Sequence, residues 1–460
     1  MDRRTFVQFA AGAGFSFRLG ETNASSSKCV IVVGAGLSGL YASRLLAQFG
    51  FETTTLEASG RIGGRVRTLD ALPGRPEGGA NVFGPNYGRA IRLAQSLGVP
   101  LGPTPRSTGA GIIIDNTYIT AQEWGTHPLN ILPEHLKTRF PDQARSMSLP
   151  SGLTHSAAWI DTDMQQWDRP AERFFEEAGL SPEVRAWFGA NNSYGNTLSN
   201  TSILSLMRVN ESIGSAIRMR LPTLEAKGGN SRLPEAMAHS LTNKVKLGRK
   251  VTRCVTKRTR IEIHTAQGEV FEGDAVVFTV PLTTLRDIEF APALRPALKE
   301  LASETPYHHV VQSHWYVALN KPANLPSLIW TDQKLGRLFI KAIDDKSFTL
   351  NAWVNGASTD AWNELSTQEK GNLLTEALEK ANLKPSRLEH MQEMDWQAEP
   401  FQKGVWACWR PGDIHKTALL REPYGPIVFA GEHTAVSNSG MEGALESAER
   451  ASLQMARYLA

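Results

Sequence analysis

The part of the chain that most constrains the fold is residues 29–57, where a strand-like run, a glycine-rich turn and a helical pattern follow one another. Cys29–Val33 is an unbroken, mostly β-branched apolar run, typical of a strand buried on both faces. It leads directly into residues 34–39, which read GAGLSG and open the helical pattern. A second strand-like run, Glu52–Leu56, ends at the acidic Glu57. This order predicts a parallel α/β unit that binds a dinucleotide at the start of its helix.

Each residue of this fingerprint has its own physical task. Gly34 allows the tight turn, Gly36 lets the backbone approach a pyrophosphate at the positive helix end, and Gly39 permits close packing of helix on strand. Glu57 is expected to accept hydrogen bonds from a ribose. The fingerprint alone is compatible with both NAD and FAD.

The residues after the second strand distinguish between these two cofactors. Residues 57–65 read EASGRIGGR, which resembles the E-A-x-x-R-x-G-G-R signature of the flavin-containing amine oxidases. The resemblance implies FAD, with the adjacent Gly63 and Gly64 lying against the cofactor. The guanidinium groups of Arg61 and Arg65 are the candidates for neutralising phosphate charge, since they carry directed donors.

The resemblance to this family continues in order along nearly the whole chain after residue 29. The matching stretches are 77–81 (EGGAN), 227–234 (KGGNSRLP), 245–251 (VKLGRKV), 274–281 (DAVVFTVP), 427–434 (IVFAGEHT) and 440–444 (GMEGA). The further cofactor-contacting residues that they imply are Gly79, Ala80, Val251, Gly431, Glu432 and Met441. Residues 77–81 are expected to run beside the flavin ring, and residues 245–251 to form a strand beside the adenosine half.

The fold expected from these motifs is an α/β chain with a Rossmann-like FAD-binding domain and a mixed α+β substrate-binding domain. The FAD-binding domain is expected to be discontinuous and to contain residues 29–105, 221–300 and 395–460. The substrate-binding domain is expected to contain residues 106–220 and 301–394. Within it, helical patterns cover Pro170–Ala178, Thr201–Arg208 and Thr367–Ala381, and a strand-like pattern covers Val310–Leu319.

The resemblance also implies where substrate chemistry takes place. Trp406 falls where the family has one wall of an aromatic cage, and an aromatic face can hold and align an amine. Val405 stands where covalent-flavin members carry a cysteine, so noncovalent FAD is expected. Gln312 replaces a lysine that the family often places near the flavin N5 atom. The second cage aromatic has no counterpart in residues 438–441 (NSGM), so we expect the pocket to be open on that side.

The activity implied is oxidative deamination of an amine or amino acid, with hydride transfer to flavin, hydrolysis of the imine, and oxygen reduced to hydrogen peroxide. Three alternatives stay open at this point. An amine dehydrogenase would pass electrons to a periplasmic carrier protein, and the neutral Gln312 favours this reading. A desaturase-like enzyme would oxidise carbon–carbon bonds. A flavin-stabilised binding or maturation protein would have another protein as its ligand, and fold alone does not choose among these.

Composition excludes several other classes of protein. The 460 residues include 49 Lys plus Arg and 46 Asp plus Glu, a formal net charge of +3 without basic clusters, which argues against a nucleic-acid partner. No run approaches the roughly 18 apolar residues of a membrane-spanning helix, so stable membrane insertion is not expected. The three cysteines are widely separated, and the histidines lack metal-binding spacing, so neither a disulfide framework nor a metal site is expected. We interpret His308, His309, His314 and His433 as structural residues.

The amino terminus resembles a twin-arginine export signal. Arg3 and Arg4 precede a modestly apolar segment rich in Ala and Gly that runs to about Phe17. Residues 1–28 are therefore expected to be a signal and linker, and the protein to be periplasmic or secreted through the twin-arginine route. This route typically carries folded proteins with a cofactor already inserted, which suits a flavoprotein.

Overall fold

The computed structural model describes residues 27–105, 109–332 and 335–460. The strands, in chain order, are β1 (Cys29–Val33), β2 (Glu52–Leu56), β3 (Leu101–Pro103), β4 (Ala110–Ile114), β5 (Thr117–Thr120), β6 (Leu224–Ala226), β7 (Val251–Thr256), β8 (Ile261–Thr265), β9 (Val270–Gly273), β10 (Ala275–Phe278), β11 (Glu289–Ala291), β12 (Val310–Leu319), β13 (Leu328–Thr331), β14 (Arg337–Ala342), β15 (Ser347–Asn355), β16 (Pro385–Asp395) and β17 (Ile427–Phe429).

The α-helices are α1 (Leu37–Gln48), α2 (Gly88–Ser96), α3 (Ala121–Trp124), α4 (Pro141–Met147), α5 (Ala171–Glu177), α6 (Pro182–Ala190), α7 (Ile203–Arg218), α8 (Arg232–His239), α9 (Leu282–Leu285), α10 (Pro296–Glu304), α11 (Ser358–Asn363), α12 (Thr367–Lys380) and α13 (Gly440–Leu459). Short 3₁₀ helices cover Glu134–Leu136, Ala158–Ile160, Thr162–Trp167, Ile414–Leu420 and Glu432–Thr434. Of residues 1–28, predicted to be an export signal and linker, the first 26 lie outside the described residues. Among the described residues, no helix has the length and apolarity needed to cross a membrane.

A four-stranded parallel sheet in the order β17-β10-β1-β2 forms the first layer of the molecule. Its strands come from three distant parts of the sequence. Val30 and Val32 of β1 pack with α1 and α13 on one face, whereas Ile31 and Val33 join a larger core on the other. Burial on both faces explains why the strand reads as an unbroken apolar run.

A seven-stranded sheet in the order β16-β12-β15-β14-β13-β4-β5 forms the second large layer. Its central strands alternate strictly between two environments. Val311 and Leu350 face a core shared with α12, while Gln312 and Asn351 line a cavity on the opposite face. The fold is therefore the predicted combination of a parallel α/β layer with a mixed α+β layer, although the predicted domain boundaries stay a prediction.

The predicted strand at residues 245–251 is wrong. Strand β7 begins only at Val251, and the residues before it form an irregular segment in which Lys246 makes a single bridge to Leu56. Gly248 has φ +70°, a left-handed conformation that breaks an extended strand. β7 itself belongs to a separate sheet in the order β11-β7-β8-β9, and a two-stranded pair, β3-β6, completes the described sheets.

Candidate functional site

A cavity of about 1240 Å³ extends from the carboxyl ends of the parallel strands to the polar face of the seven-stranded sheet. The predicted cofactor residues that line it are Gly34, Gly36, Glu57, Gly63, Gly64, Arg65, Gly79, Ala80, Val251, Gly431, Glu432 and Met441. Trp406 and Gln312 line it as well. Residues separated by almost the whole chain are thus brought to one continuous space.

Two of the three glycines in the turn between β1 and α1 have no room for a side chain. Gly34 has φ +107°, and a Cβ atom there would lie 2.5 Å from the Thr279 hydroxyl. A Cβ on Gly39 would lie 1.9 Å from the Gly34 carbonyl oxygen, so helix and turn are in direct backbone contact. Gly36 differs, since the nearest atom to a Cβ there is the Cα of Gly64 at 3.9 Å. Gly36 and Gly64 therefore leave a shallow backbone cradle at the cavity wall.

The start of α1 is suited to an anion. Its first turn contains no acidic residue, and Gly36 at the N-cap provides no side-chain cap. The first amide groups of a helix have no partner within it and carry positive partial charge, so they attract phosphate. The backbone cradle and this uncapped helix start together fit a dinucleotide pyrophosphate.

Glu57 lies at the end of β2 with only 8% of its surface exposed. One carboxylate oxygen accepts the Ala35 amide at 2.7 Å, and the other accepts both the amide and the hydroxyl of Ser59, at 2.9 and 2.8 Å. A carboxylate offers about four lone-pair positions, so it retains capacity toward the cavity. This geometry fits the ribose contact predicted for Glu57.

Arg65 joins two of the predicted motifs. Its guanidinium donates to Glu432 at 3.1 Å and to the carbonyl oxygen of Val405. Glu432 also accepts the Ala407 amide at 3.0 Å, so this pair fixes residues 405–407 beside the cavity. Arg61 does not line the cavity; it donates to the Ile62 carbonyl oxygen at 3.3 Å, and burial lowers its pKa. Its contact with the cofactor stays a prediction.

Residues 77–81 lie between Arg65 and strand β12 of the seven-stranded sheet. Gly79 packs so closely on Arg65 that a Cβ atom would lie 2.1 Å from its carbonyl oxygen, which also accepts the Ala80 amide at 3.0 Å. Gln312 donates to the Gly79 carbonyl oxygen at 3.4 Å and accepts from Asn351 at 3.1 Å. Gln312 thus lies against the segment expected beside the flavin ring.

The remaining predicted cofactor residues lie at element ends. Val251 is the buried first residue of β7, and Met441 is in the first turn of α13, whose N-cap has no side-chain hydrogen bond. Gly431 follows β17 with φ +122°, and its amide donates to Ser447 at 2.8 Å. Two uncapped helix starts, those of α1 and α13, therefore border the cavity.

Trp406, Tyr194 and His308 form a stacked group of rings, the aromatic wall, at one side of the cavity. The Trp406 ring stacks with Tyr194 at 5.8 Å and with His308 at 5.7 Å, and its indole N–H donates to the Ser193 carbonyl oxygen at 2.8 Å. Burial lowers the pKa of His308 to about 3, so this imidazole is neutral at pH 7. The Cys408 thiol is buried outside the cavity lining, and burial raises its pKa. Tyr194 provides a second aromatic ring, and it lies in a segment outside the family motifs identified in the sequence.

Several cavity-lining residues escaped the sequence-based prediction. They are Tyr194, Arg337, Asn351 and Trp353. His314, which we interpreted as a structural residue, also lines the cavity, as does Glu77 of the segment expected beside the flavin ring. The usable signal was the alternation of polar and apolar residues along β12 and β15, which distinguishes a lined face from a packed one. Glu77 accepts the Asn230 amide at 2.7 Å, and burial raises its pKa to about 7.

In the part of the chain that the structure describes, no cluster of three or more His, Cys, Asp or Glu side chains is placed to hold a metal.

Comparisons with known proteins agree with the geometry. The family model described as flavin containing amine oxidoreductase matches residues 37–456. A flavin-containing amine oxidase of Danio rerio is 26% identical over 93% of this chain and 85% of its own length. A Bacillus subtilis (strain 168) protein named provisionally as an L-amino-acid oxidase is 25% identical over 96% of this chain and 97% of its own.

A solved structure of another amine oxidase has a similar fold. Cyclohexylamine oxidase from Brevibacterium oxydans superposes with a TM-score of 0.80 and 23% sequence identity, covering 94% of this chain and 99% of that one. The family match spans most of the sequence, and the cavity fits a dinucleotide at the residues that carry the family motifs. The chain therefore belongs to the flavin-containing amine oxidoreductase family, whose cofactor is FAD.

Proposed function

We propose that the chain oxidises the carbon–nitrogen bond of a small amine or amino acid. The substrate, water and oxygen would give the carbonyl compound, ammonia and hydrogen peroxide. The observation that carries this proposal is the continuity of one cavity from the dinucleotide cradle at Gly36 to the aromatic wall at Trp406. The names of the relatives, which include amine oxidases and a provisional L-amino-acid oxidase, support the same substrate class.

The chain's residues divide into those that hold the cofactor and those that position the substrate. Glu57, the glycine turn and the helix starts would hold FAD, which when bound accepts a hydride equivalent from the carbon beside the amine. Trp406 and Tyr194 would align the uncharged amine and exclude water from the reacting carbon. Burial lowers the pKa of His308 to about 3 and that of His314 to about 4. Both imidazoles are therefore neutral at pH 7 and would not repel a cationic group of the substrate.

FAD is proposed to bind noncovalently. Val405 occupies the position that carries a cysteine in covalent-flavin relatives, and its carbonyl oxygen is held by Arg65. The nearest cysteine in sequence, Cys408, is buried away from the cavity. Neither position offers a thiol to the cofactor.

The test is anaerobic mixing of the purified yellow protein with a panel of amines and amino acids. Loss of the oxidised flavin absorbance by at least one of them would support the proposal. If only compounds with an oxidisable carbon–carbon bond reduced the flavin, the desaturase alternative would replace it. If no small molecule reduced a flavin that dithionite does reduce, the binding or maturation alternative would be favoured.

The identity of the electron acceptor has a second candidate. The buried Gln312 places a neutral amide, hydrogen-bonded to Gly79 and Asn351, where a lysine's charge would assist oxygen. This observation favours a dehydrogenase that passes electrons to a carrier protein. Stopped-flow mixing of reduced protein with air-saturated buffer decides between them: reoxidation faster than amine-driven reduction identifies an oxidase, and slower reoxidation identifies a dehydrogenase.

The export route also remains a proposal, supported by Arg3 and Arg4 ahead of an apolar segment. Cell fractionation of the tagged chain tests it. The periplasmic share should fall when both arginines are replaced by lysine. An unchanged distribution would contradict twin-arginine export.

A further inference from the structure

The polar face of the seven-stranded sheet aligns three side chains in one row along the cavity. In the strand register, Gln312 of β12 lies opposite Trp353 of β15, and Trp353 lies opposite Arg337 of β14. Adjacent strands are about 4.8 Å apart, so the Cα atoms of Gln312 and Arg337 are about 10 Å apart. An arginine side chain is long enough to span much of that distance. Arg337 is therefore placed to reach toward the flavin side of the cavity.

Arg337 also lies against the aromatic wall. Its guanidinium donates to the Ser193 hydroxyl, and the carbonyl oxygen of the same Ser193 accepts the Trp406 indole N–H. The side chain is only 17% exposed, and its Nε–H has no hydrogen-bond partner among the described residues. The nearest carboxylate is Asp142, whose oxygen lies 4.0 Å away, at the limit of an ion pair. Such incompletely satisfied buried donors are costly unless another group pairs with them.

The local charge beside the wall is positive. Arg145 also lines the cavity, is 7% exposed, and donates to the Phe188 carbonyl oxygen. Burial lowers the pKa of Arg145 to about 10 and lowers that of Arg337, but both are charged at neutral pH. Among the described residues, Asp142 is the one carboxylate that acts on both guanidinium groups. This imbalance disfavours the second ammonium group of a diamine and favours an anion.

We infer that Arg337 binds a carboxylate of the substrate, so that the preferred substrates are amino acids rather than neutral monoamines or polyamines. The bidentate geometry of a guanidinium matches a carboxylate. His314 lies opposite Asn351 in the strand register, on the same face of the sheet. The two ring nitrogens of His314 and the Oδ1 atom of Asn351 also have no hydrogen-bond partner within the described part of the chain. These atoms can hydrogen-bond the polar remainder of such a substrate. The inference rests on the proposed amine oxidation and names its substrate class.

The experiment compares matched pairs of substrates on the FAD-loaded protein. Each pair contains an amino acid and the amine that lacks its carboxylate, such as phenylalanine with phenylethylamine, leucine with isopentylamine, and ornithine with putrescine. The dependence of the anaerobic flavin-reduction rate on substrate concentration gives a limiting rate and an apparent Kd for each member, and the ratio of the two measures the preference. We expect the amino acid to be favoured at least 10-fold in the best pair, because a charge-assisted contact is lost without the carboxylate.

Three variants separate binding by Arg337 from a general effect of charge. Arg337→Gln should lower the amino-acid preference by about 10- to 100-fold, mainly through the apparent Kd, and Arg337→Lys should restore part of it. Lys341→Gln is the matched control, because Lys341 lies on the same strand and lines the same cavity. That variant should keep the preference within about 3-fold.

A binding measurement keeps the inference independent of turnover. Benzoate and the neutral benzamide are titrated into the oxidised protein, and flavin absorbance changes report binding. Tighter binding of benzoate, lost in Arg337→Gln, supports the inference even if no tested amine is oxidised, in which case only the proposed function fails. Equal binding of benzoate and benzamide would overturn the inference. So would faster reduction by the amines that lack the carboxylate, putrescine included, or an Arg337→Gln variant that slows reduction equally by both members of a pair. If Arg337→Gln does not fold, the benzoate and benzamide affinities of the parent decide.

Discussion

At the scale of single residues, Glu57 combines a structural role with its proposed cofactor contact. Its carboxylate fixes the Ala35 amide and Ser59 while retaining a lone pair toward the cavity. Glu57→Ala should weaken FAD binding by about 10- to 100-fold, since hydrogen bonds to a charged acceptor are among the strong ones. Fluorescence titration of the apoprotein with FAD measures this.

The matched control is Glu52→Ala, which removes a carboxylate from the exposed first residue of the same strand. Its FAD affinity should equal that of the parent. Equal affinity in Glu57→Ala as well would remove Glu57 from the cofactor site.

Trp406 is expected to act on the substrate rather than the cofactor. Its ring stacks with Tyr194 and is fixed by the hydrogen bond to Ser193. Trp406→Ala should slow anaerobic flavin reduction by the best substrate by about 10- to 100-fold, because the substrate loses its alignment. FAD content should change little, and Trp406→Phe should retain most of the rate. A reduction rate equal to that of the parent in Trp406→Ala would exclude it from the substrate site.

At the scale of elements, the glycines in the turn into α1 have different roles. The close packing of the fold requires some of them, whereas the approach of the cofactor requires one. Gly39→Ala would place a methyl group 1.9 Å from the Gly34 carbonyl oxygen, so the apoprotein should lose about 3 kcal/mol of stability. Gly36→Ala meets no atom closer than 3.9 Å and has an ordinary φ of −74°. It should keep the parent's apoprotein Tm while losing FAD affinity.

Thermal unfolding of both apoproteins and FAD titration of those that fold test this contrast. A normal Tm for Gly39→Ala would show that helix and turn can separate without cost. Unchanged FAD affinity for Gly36→Ala would contradict a close approach of the pyrophosphate at this cradle.

The elements that the sequence predicted well are those whose pattern follows from local burial. Strands β1, β2 and β12 have the predicted bounds. A strand buried on both faces leaves a continuous apolar run, and one with a single packed face leaves an alternating pattern. Helix α7 extends to Arg218, ten residues past its predicted end, because its second half is partly exposed and carries a weaker apolar pattern. The predicted strand at 245–251 failed since Gly248 adopts a positive φ that no periodicity reveals.

The residues of the candidate site could be predicted only where they belong to a sequence motif. The glycines and Glu57 lie in an ordered signature, and the structure brings most of them to one cavity. Tyr194 and Arg337 reach the same cavity from segments without a signature, through the packing of loops and the register of β14 with β15. Such positions depend on contacts between residues distant in sequence. A single sequence therefore predicts the cofactor end of the cavity better than the substrate end.

At the scale of the whole molecule, the three distant parts of the sequence that form the parallel sheet contribute to one cofactor cavity. This cavity has no thiol in its lining. Among the described cysteines, none lines the cavity. Acid precipitation of the holoprotein should therefore release all of the FAD into the supernatant, which absorbance at the flavin maximum measures. Yellow colour remaining with the washed, denatured protein would show a covalent attachment and contradict this prediction.

At the same scale, three buried histidines should lower the stability of the whole molecule in acid. Burial lowers the pKa of His308 and His433 to about 3 and that of His314 to about 4. In the unfolded chain an imidazole is protonated below about pH 6.5. Between these values the unfolded state binds more protons than the folded state, so the free energy of unfolding should fall as pH decreases from about 6.5.

Glu77 should have the opposite effect on the pH dependence. Burial raises its pKa to about 7, so between about pH 4.5 and 7 the folded state holds a proton that the unfolded state releases. Its contribution to stability is present at low pH and is lost as pH rises through that window. The three histidines outnumber it, so the net effect should be acid destabilisation of the apoprotein.

Two variants with opposite expected effects test this reasoning. His433→Gln removes one histidine and should reduce the fall in unfolding free energy by about 1.4 kcal/mol per pH unit between about pH 4 and 6. Glu77→Gln keeps hydrogen-bonding groups at that position but removes the opposing titration, so it should make the fall steeper. Denaturant unfolding of the apoprotein from pH 4.5 to 7.5 at constant ionic strength measures both slopes. A stability that does not change over this range, or two variants that change the slope in the same direction, would show that other titrating groups control the acid response.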